Sequence, residues 1–207
     1  MVPALICIVF HELCHGFAAF LLGDDTAKRA GRLSLNPLKH VDVTGLIMMV
    51  VFRFGWAKPV PVNMSKFKNP KRGMAITALA GPVSNLLLAF VFMVLYGALA
   101  VPFGRSKVGS YFMEMLVLGA YISIGLAVFN FIPVPPLDGS KILLSVMSNE
   151  KYALLMRYER YGMIALIALV ASGILGRPLS AAVSFLFSKI YLPAAMNTAQ
   201  LVYKLFY

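Results

Sequence analysis

Between Met74 and Val101 the chain runs for 28 residues without a charged side chain. In lipid such a stretch must satisfy its own backbone, which only a helix or a closed barrel can do. As a helix, about 20 residues cross the hydrocarbon core at 1.5 Å per residue. Val2 to Gly23 and Tyr111 to Ile132 are two more runs of that length. Met163 to Leu175 is a shorter apolar piece, and Ala181 to Tyr207 reads as a last helix interrupted at Pro193. The sequence therefore predicts an all-α polytopic membrane protein with about five transmembrane helices. Its composition agrees, with 60% hydrophobic and 13% charged residues, where soluble domains carry about 25% charged.

A net charge of +11 would suit nucleic acid, but the basic residues flank the apolar runs and read as anchors facing anionic lipid. Loops 23–73 and 135–162 hold ten and four of them, and loop 102–110 holds two. The positive-inside rule then makes the first two loops cytoplasmic. The expected partners are the bilayer and a membrane-embedded substrate, not nucleic acid; oligomeric state is not legible. Residues 1–207 read as one domain, with a core at about 1–145 and scaffold helices at about 161–207. There is no basic n-region of a secretory signal. Only ten residues precede His11, consistent with a natural start further upstream.

The polar stretch between the first two spans carries a short re-entrant or β-like segment. Arg32 to Leu35 alternates as a strand does. Thr44 to Phe54 is apolar but too short to span, so it reads as re-entrant or interfacial. Ala57 to Asn63 must be extended, because Pro59 and Pro61 cannot continue a helix. Its edge could take a substrate strand by β-addition, which makes Pro59, Val60 and Pro61 candidate substrate contacts.

Within the first span stand His11, Glu12 and His15, in Phe-His-Glu-Leu-Cys-His-Gly. On a helix His11 and His15 are one turn apart on the same side, the spacing a tetrahedral zinc ion needs. Glu12 lies about 100° round the axis, placed to take a proton from a water beside the ion without being a ligand. Three ionisable groups in an apolar span are costly unless paired or coordinated, so they mark function. Two imidazoles leave zinc short of one protein ligand. The candidates are Asp138, His40, Asp42, Glu114 and Cys14. Asp138 is preferred because it follows a helix break at Pro133, Pro135 and Pro136 near membrane depth, and one Zn²⁺ with Asp138 and Glu12 is formally neutral. Cys7 and Cys14 are too far apart along one helix for a disulfide. Asn130 could donate to a developing oxyanion or simply pack helices. Asn85, polar at membrane depth, carries the same two readings.

The combination of His11-Glu12-Leu13-Cys14-His15 in a membrane span, Gly81-Pro82-Val83-Ser84-Asn85, and Asn130 through Leu137-Asp138-Gly139 resembles the site-2 protease family of intramembrane zinc metalloproteases. Gly31 to Asp42 and Trp56 to Asn63 resemble its compact prokaryotic branch without a PDZ domain. The resemblance covers about residues 5–145. It implies one zinc ion on His11, His15 and Asp138, Glu12 as general base, and Asn130 with Asn85 at the substrate or oxyanion. The implied substrates are transmembrane segments cut within the bilayer. A membrane metal transporter or sensor using the same ligands is the alternative, and it leaves Glu12 without a task.

Overall fold

The computed structural model describes residues 2–40, 42, 45, 58–104 and 106–206. Among them the ordered elements are helices, with no strand. Four helical segments are long and apolar enough to cross a membrane. They are α1 (Val2–Leu21), α3 (Pro70–Phe103), α4 (Lys107–Asn130) and the composite Gly176–Leu205. In the last, α7 (Gly176–Leu186) and α8 (Leu192–Phe206) join through a π-helical turn, Phe187–Tyr191. That turn takes up the break expected at Pro193, whose ring nitrogen cannot donate to the preceding turn. A short α2 (Thr26–Arg29) follows α1, and α5 (Asp138–Ser145) and α6 (Asn149–Ala171) follow α4. The apolar part of α6, Tyr161–Ala171, is shorter than a span. The expected five transmembrane helices are thus four of full length and one short apolar helix among the described residues.

One expectation for the polar stretch changes. Arg32 to Leu35 is not a strand: the Arg32 side chain turns inward onto the backbone of Lys58 and Pro59, and the Ser34 carbonyl accepts from the His40 ring. Among the described residues no strand lies beside these four for them to pair with. The re-entrant piece at 44–54 lies outside the described residues except for Gly45. Residues 58–63 form no helix, as the two prolines require, and enter no ladder; Asn63 is extended.

The chain divides into two compact units, and α3 runs through both. One comprises Met1–Cys7, Asn85–Phe129 and Ile167–Tyr207. Its core is Ala89, Met93, Ala120, Ile124, Tyr191 and Ala195. Small side chains let the helices approach closely, as van der Waals packing in lipid demands: a Cβ on Gly97 would lie 2.9 Å from Cβ of Thr198. Tyr191 donates its hydroxyl to the Leu86 carbonyl at 3.2 Å. The other unit, Ile8–Ser84 with Asn130–Leu166, contains the chemistry.

Candidate metal centre

Helix α1 presents His11 and His15 one turn apart, their rings 4.5 Å apart and nearly perpendicular. The Nε2 atoms are 3.0 Å from each other. Both reach the same atom, Oδ2 of Asp138, at 3.2 Å from His11 and 3.1 Å from His15. All three side chains are buried. Asp138 arrives there because α4 ends at Asn130 and a tight turn, with Leu137 N–H on the Val134 carbonyl, leads into α5, whose first residue is Asp138. Gly139 allows that turn: a Cβ there would come within 2.6 Å of the Ile132 carbonyl oxygen.

The donor chemistry fits a cation. His15 Nδ1 donates to the Thr77 carbonyl at 2.7 Å, since a carbonyl can only accept. In the neutral ring Nε2 then carries a lone pair, aimed at a second imidazole and a carboxylate. A positive ion among these atoms removes their repulsion, and a hydrogen bond behind the ring is the usual support of a metal-bound histidine. Burial opposes ionisation of Asp138, but the two imidazoles beside it, together with Lys141, hold its carboxyl well below the usual carboxylate range. Among the described residues, His11, His15 and Asp138 form the one group able to hold a metal ion.

Helix α3 closes the site from another side. Gly81 faces the imidazoles: a Cβ there would lie 2.6 Å from Cε1 of His11 and closer still to Cε1 and Nε2 of His15. The Gly81-Pro82 pair therefore serves close packing, and α3 continues across it without opening. A cavity of about 250 Å³ adjoins the group, with Glu12, Pro59, Val60, Asn130 and Lys141 among its walls. Glu12 Oε2 accepts the Val60 amide at 3.0 Å. Lys141 Nζ stands 3.8 Å from the other oxygen of Asp138.

The remaining candidates fall elsewhere. Cys14 is half-buried and free, and His40 is buried with Nε2 on the Ser34 carbonyl at 2.8 Å. Asp42 accepts the Gly45 amide, and Glu114 belongs to the other unit. None of these four joins the metal group. Pro61 is exposed and does not line the cavity. Asn85, also in the other unit, is completely buried, so contact with a substrate would require its surrounding helices to part. Sequence reading missed Lys141, the Thr77 carbonyl and the contact of Gly81 with the imidazoles. Only the i, i+3 spacing of Asp138 and Lys141 was there to be noticed.

Residues 97–173, which include Asn130 and Asp138, match the model of peptidase family M50. The chain is 37% identical to Bacillus subtilis "Putative zinc metalloprotease YwhC" over 82% of its own length and 78% of the relative's. The chain belongs to peptidase family M50. A second relative, "Putative zinc metalloprotease MJ0611" of Methanocaldococcus jannaschii, is 35% identical over 65% of this chain and 63% of its own. The Mycolicibacterium smegmatis protein "Putative zinc metalloprotease Rip2" is 27% identical over 84% of this chain and 66% of its own. No solved structure matches significantly. This M50 chain is a multi-pass membrane zinc metalloprotease, and its His-His-Asp group is positioned for one metal ion.

Proposed function

We propose that the chain hydrolyses peptide bonds within or beside transmembrane segments of membrane proteins. The observation that carries this reading is a metal-competent group and a carboxylate sharing one cavity, two of the three ligands and the carboxylate standing on a helix long and apolar enough to span the bilayer. His11, His15 and Asp138 would hold the zinc. When bound, the ion supplies the Lewis acidity that acidifies water and polarises a carbonyl. Glu12 takes the proton of the attacking water and delivers it to the leaving nitrogen. The Asn130 amide, on the same cavity, donates to the substrate carbonyl as negative charge develops there. Pro59 and Val60 form the wall against which the unwound substrate lies.

Pairing by β-addition has little to work with. In residues 58–63 the two prolines have no N–H, and the amides of Lys58, Val60 and Asn63 are committed to His40, Glu12 and Asp24. Val62 alone keeps an amide to offer, so substrate contact through this segment rests on carbonyl acceptors and side chains. Loops 23–73 and 135–162 are taken as cytoplasmic from their basic residues, which puts the cavity mouth on that side. Metal transport is disfavoured by Lys141, a cation standing in the cavity wall.

The test is Glu12→Gln in proteoliposomes with a labelled single-span substrate. Zinc content should stay at one per chain while cleavage falls about 10²–10⁴-fold, the usual worth of a general base. Undiminished cleavage would sink the assignment.

A further inference from the structure

The segment Lys58-Pro59-Val60-Pro61-Val62-Asn63 crosses the cavity wall without secondary structure of its own, yet it is tied down along its length. Lys58 N–H donates to the His40 carbonyl at 2.9 Å. Val60 N–H donates to Glu12 Oε2 at 3.0 Å. Asn63 N–H donates to Asp24 Oδ2 at 2.6 Å, and Asp24 is wholly buried. Arg32 holds the near end, one guanidinium nitrogen reaching the carbonyls of both Lys58 and Pro59. That guanidinium is buried, with 7% of the residue exposed, and among the described residues no carboxylate neutralises it. A buried cation with no opposite charge beside it is costly to keep. Such an arrangement persists where it fixes something that function needs.

We infer that Arg32 is a positioning residue for Glu12. By gripping the two carbonyls before Val60 it sets the Val60 amide against one oxygen of the Glu12 carboxylate, leaving the other oxygen turned to its task. Asp24 does the same from the far end through Asn63. This inference rests on Glu12 being the general base. Its physical basis is preorganisation: a carboxylate on a three-bond side chain samples several rotamers, and a misplacement of about 1 Å at a reacting centre costs about 100-fold in rate.

The experiment uses the intact protein in detergent and combines hydrogen exchange with kinetics. The six-residue segment has four amide hydrogens, because two of its residues are proline. In the wild type the Val62 amide should exchange fast and the other three slowly. Glu12→Ala should release Val60 alone. Arg32→Met should release Lys58 and Val60 while Asn63 stays protected, and should lower kcat about 10–100-fold with KM and zinc stoichiometry unchanged. Arg32→Lys, which keeps a donor able to reach one carbonyl, should recover part of kcat and part of the protection, and it serves as the test should Arg32→Met not fold. Continued protection of Val60 in Glu12→Ala overturns the inference, as does full kcat in Arg32→Met. A loss carried wholly by KM or by zinc content also overturns it, since that marks a merely structural residue. If Glu12→Gln stays active, the base reading fails while the exchange arms still report on the Arg32 anchor. If Glu12→Gln is inactive but Arg32→Met turns over normally, only the present inference fails.

Discussion

Gly81→Ala is the substitution whose outcome the geometry constrains most. In a helix interior alanine is the better residue by about 0.5–1 kcal/mol, so on propensity alone the variant should be more stable. The added methyl, however, would stand 2.6 Å from Cε1 of His11 and nearer still to the His15 ring, where ordinary contact begins at 3.4 Å. The imidazoles or the helix must therefore retreat by about 0.8 Å to clear His11 and by more to clear His15. Overpacking of this kind costs about 1–3 kcal/mol, so the net change in stability is small, at most about 2–2.5 kcal/mol. The site suffers far more, because the atoms displaced are those of both metal-binding rings. Zinc affinity should fall about 10–100-fold, the range for disturbing what orients a ligand, and cleavage by about 100-fold. Chelator competition gives the affinity, and turnover of a labelled membrane substrate gives the rate. Gly125→Ala in α4 is the control, since a Cβ there meets nothing within 4 Å. It should leave both readings unchanged. Wild-type zinc affinity and turnover in Gly81→Ala would refute the argument that this glycine exists to admit the imidazoles.

Further outcomes follow from the same site and its surroundings. Purified chain should carry one zinc ion; stripping it should lower thermal stability by about 4 kcal/mol relative to protein at a thousandfold excess of free zinc over Kd, and His15→Ala should abolish that difference. Asp138→Asn preserves shape but removes the charge, and it should weaken zinc by more than the ~10–100-fold typical of losing a supporting partner, read by metal analysis after dialysis. The Asp25 carboxyl lies at about 2, below the usual 3.8, because Lys66 and Arg29 hydrogen-bond it. A folded value below the unfolded one stabilises at higher pH and is lost as pH falls through the window from about 4 to about 2. Asp25→Asn should therefore melt below the wild type near about pH 6, with the gap closing in that window and shrinking in high salt; a gap independent of pH would refute the pairing.

What was legible in the sequence was whatever depends on neighbours along one helix or on the cost of charge in lipid. His11 and His15 needed only a helical period, and Asp138 only the expense of a carboxylate beside a helix break. Long-range contacts left weaker traces. The contact of Gly81 with two imidazoles 66 and 70 residues earlier has no local signature. Arg32 looked like one position of an alternating strand, and only its partners, 26 and 27 residues on, give it a role. The span count differed for a similar reason. The apolar stretch after Gly162 continues a helix that begins at Asn149 in polar sequence, so its apolar part alone is too short to cross.

The surroundings of three carboxylates in this unit, Asp24, Asp138 and Glu12, set them apart. Asp24 is tied down: it accepts the Asn63 amide, the Thr26 amide and the Thr26 hydroxyl, with Lys66 at 3.6 Å. Three such bonds on a buried carboxylate hold the backbone around it in place. Asp138 faces two imidazoles and an ammonium group, surroundings that keep it ionised and point one oxygen at the place of a metal. Glu12 has one neutral donor, the amide of a loop residue, on one oxygen. A single neutral hydrogen bond orients a carboxylate at a net worth of about 0.5–1.5 kcal/mol. Of the three, only Glu12 lines the cavity without belonging to the metal group, which is the place the proposed hydrolysis gives it.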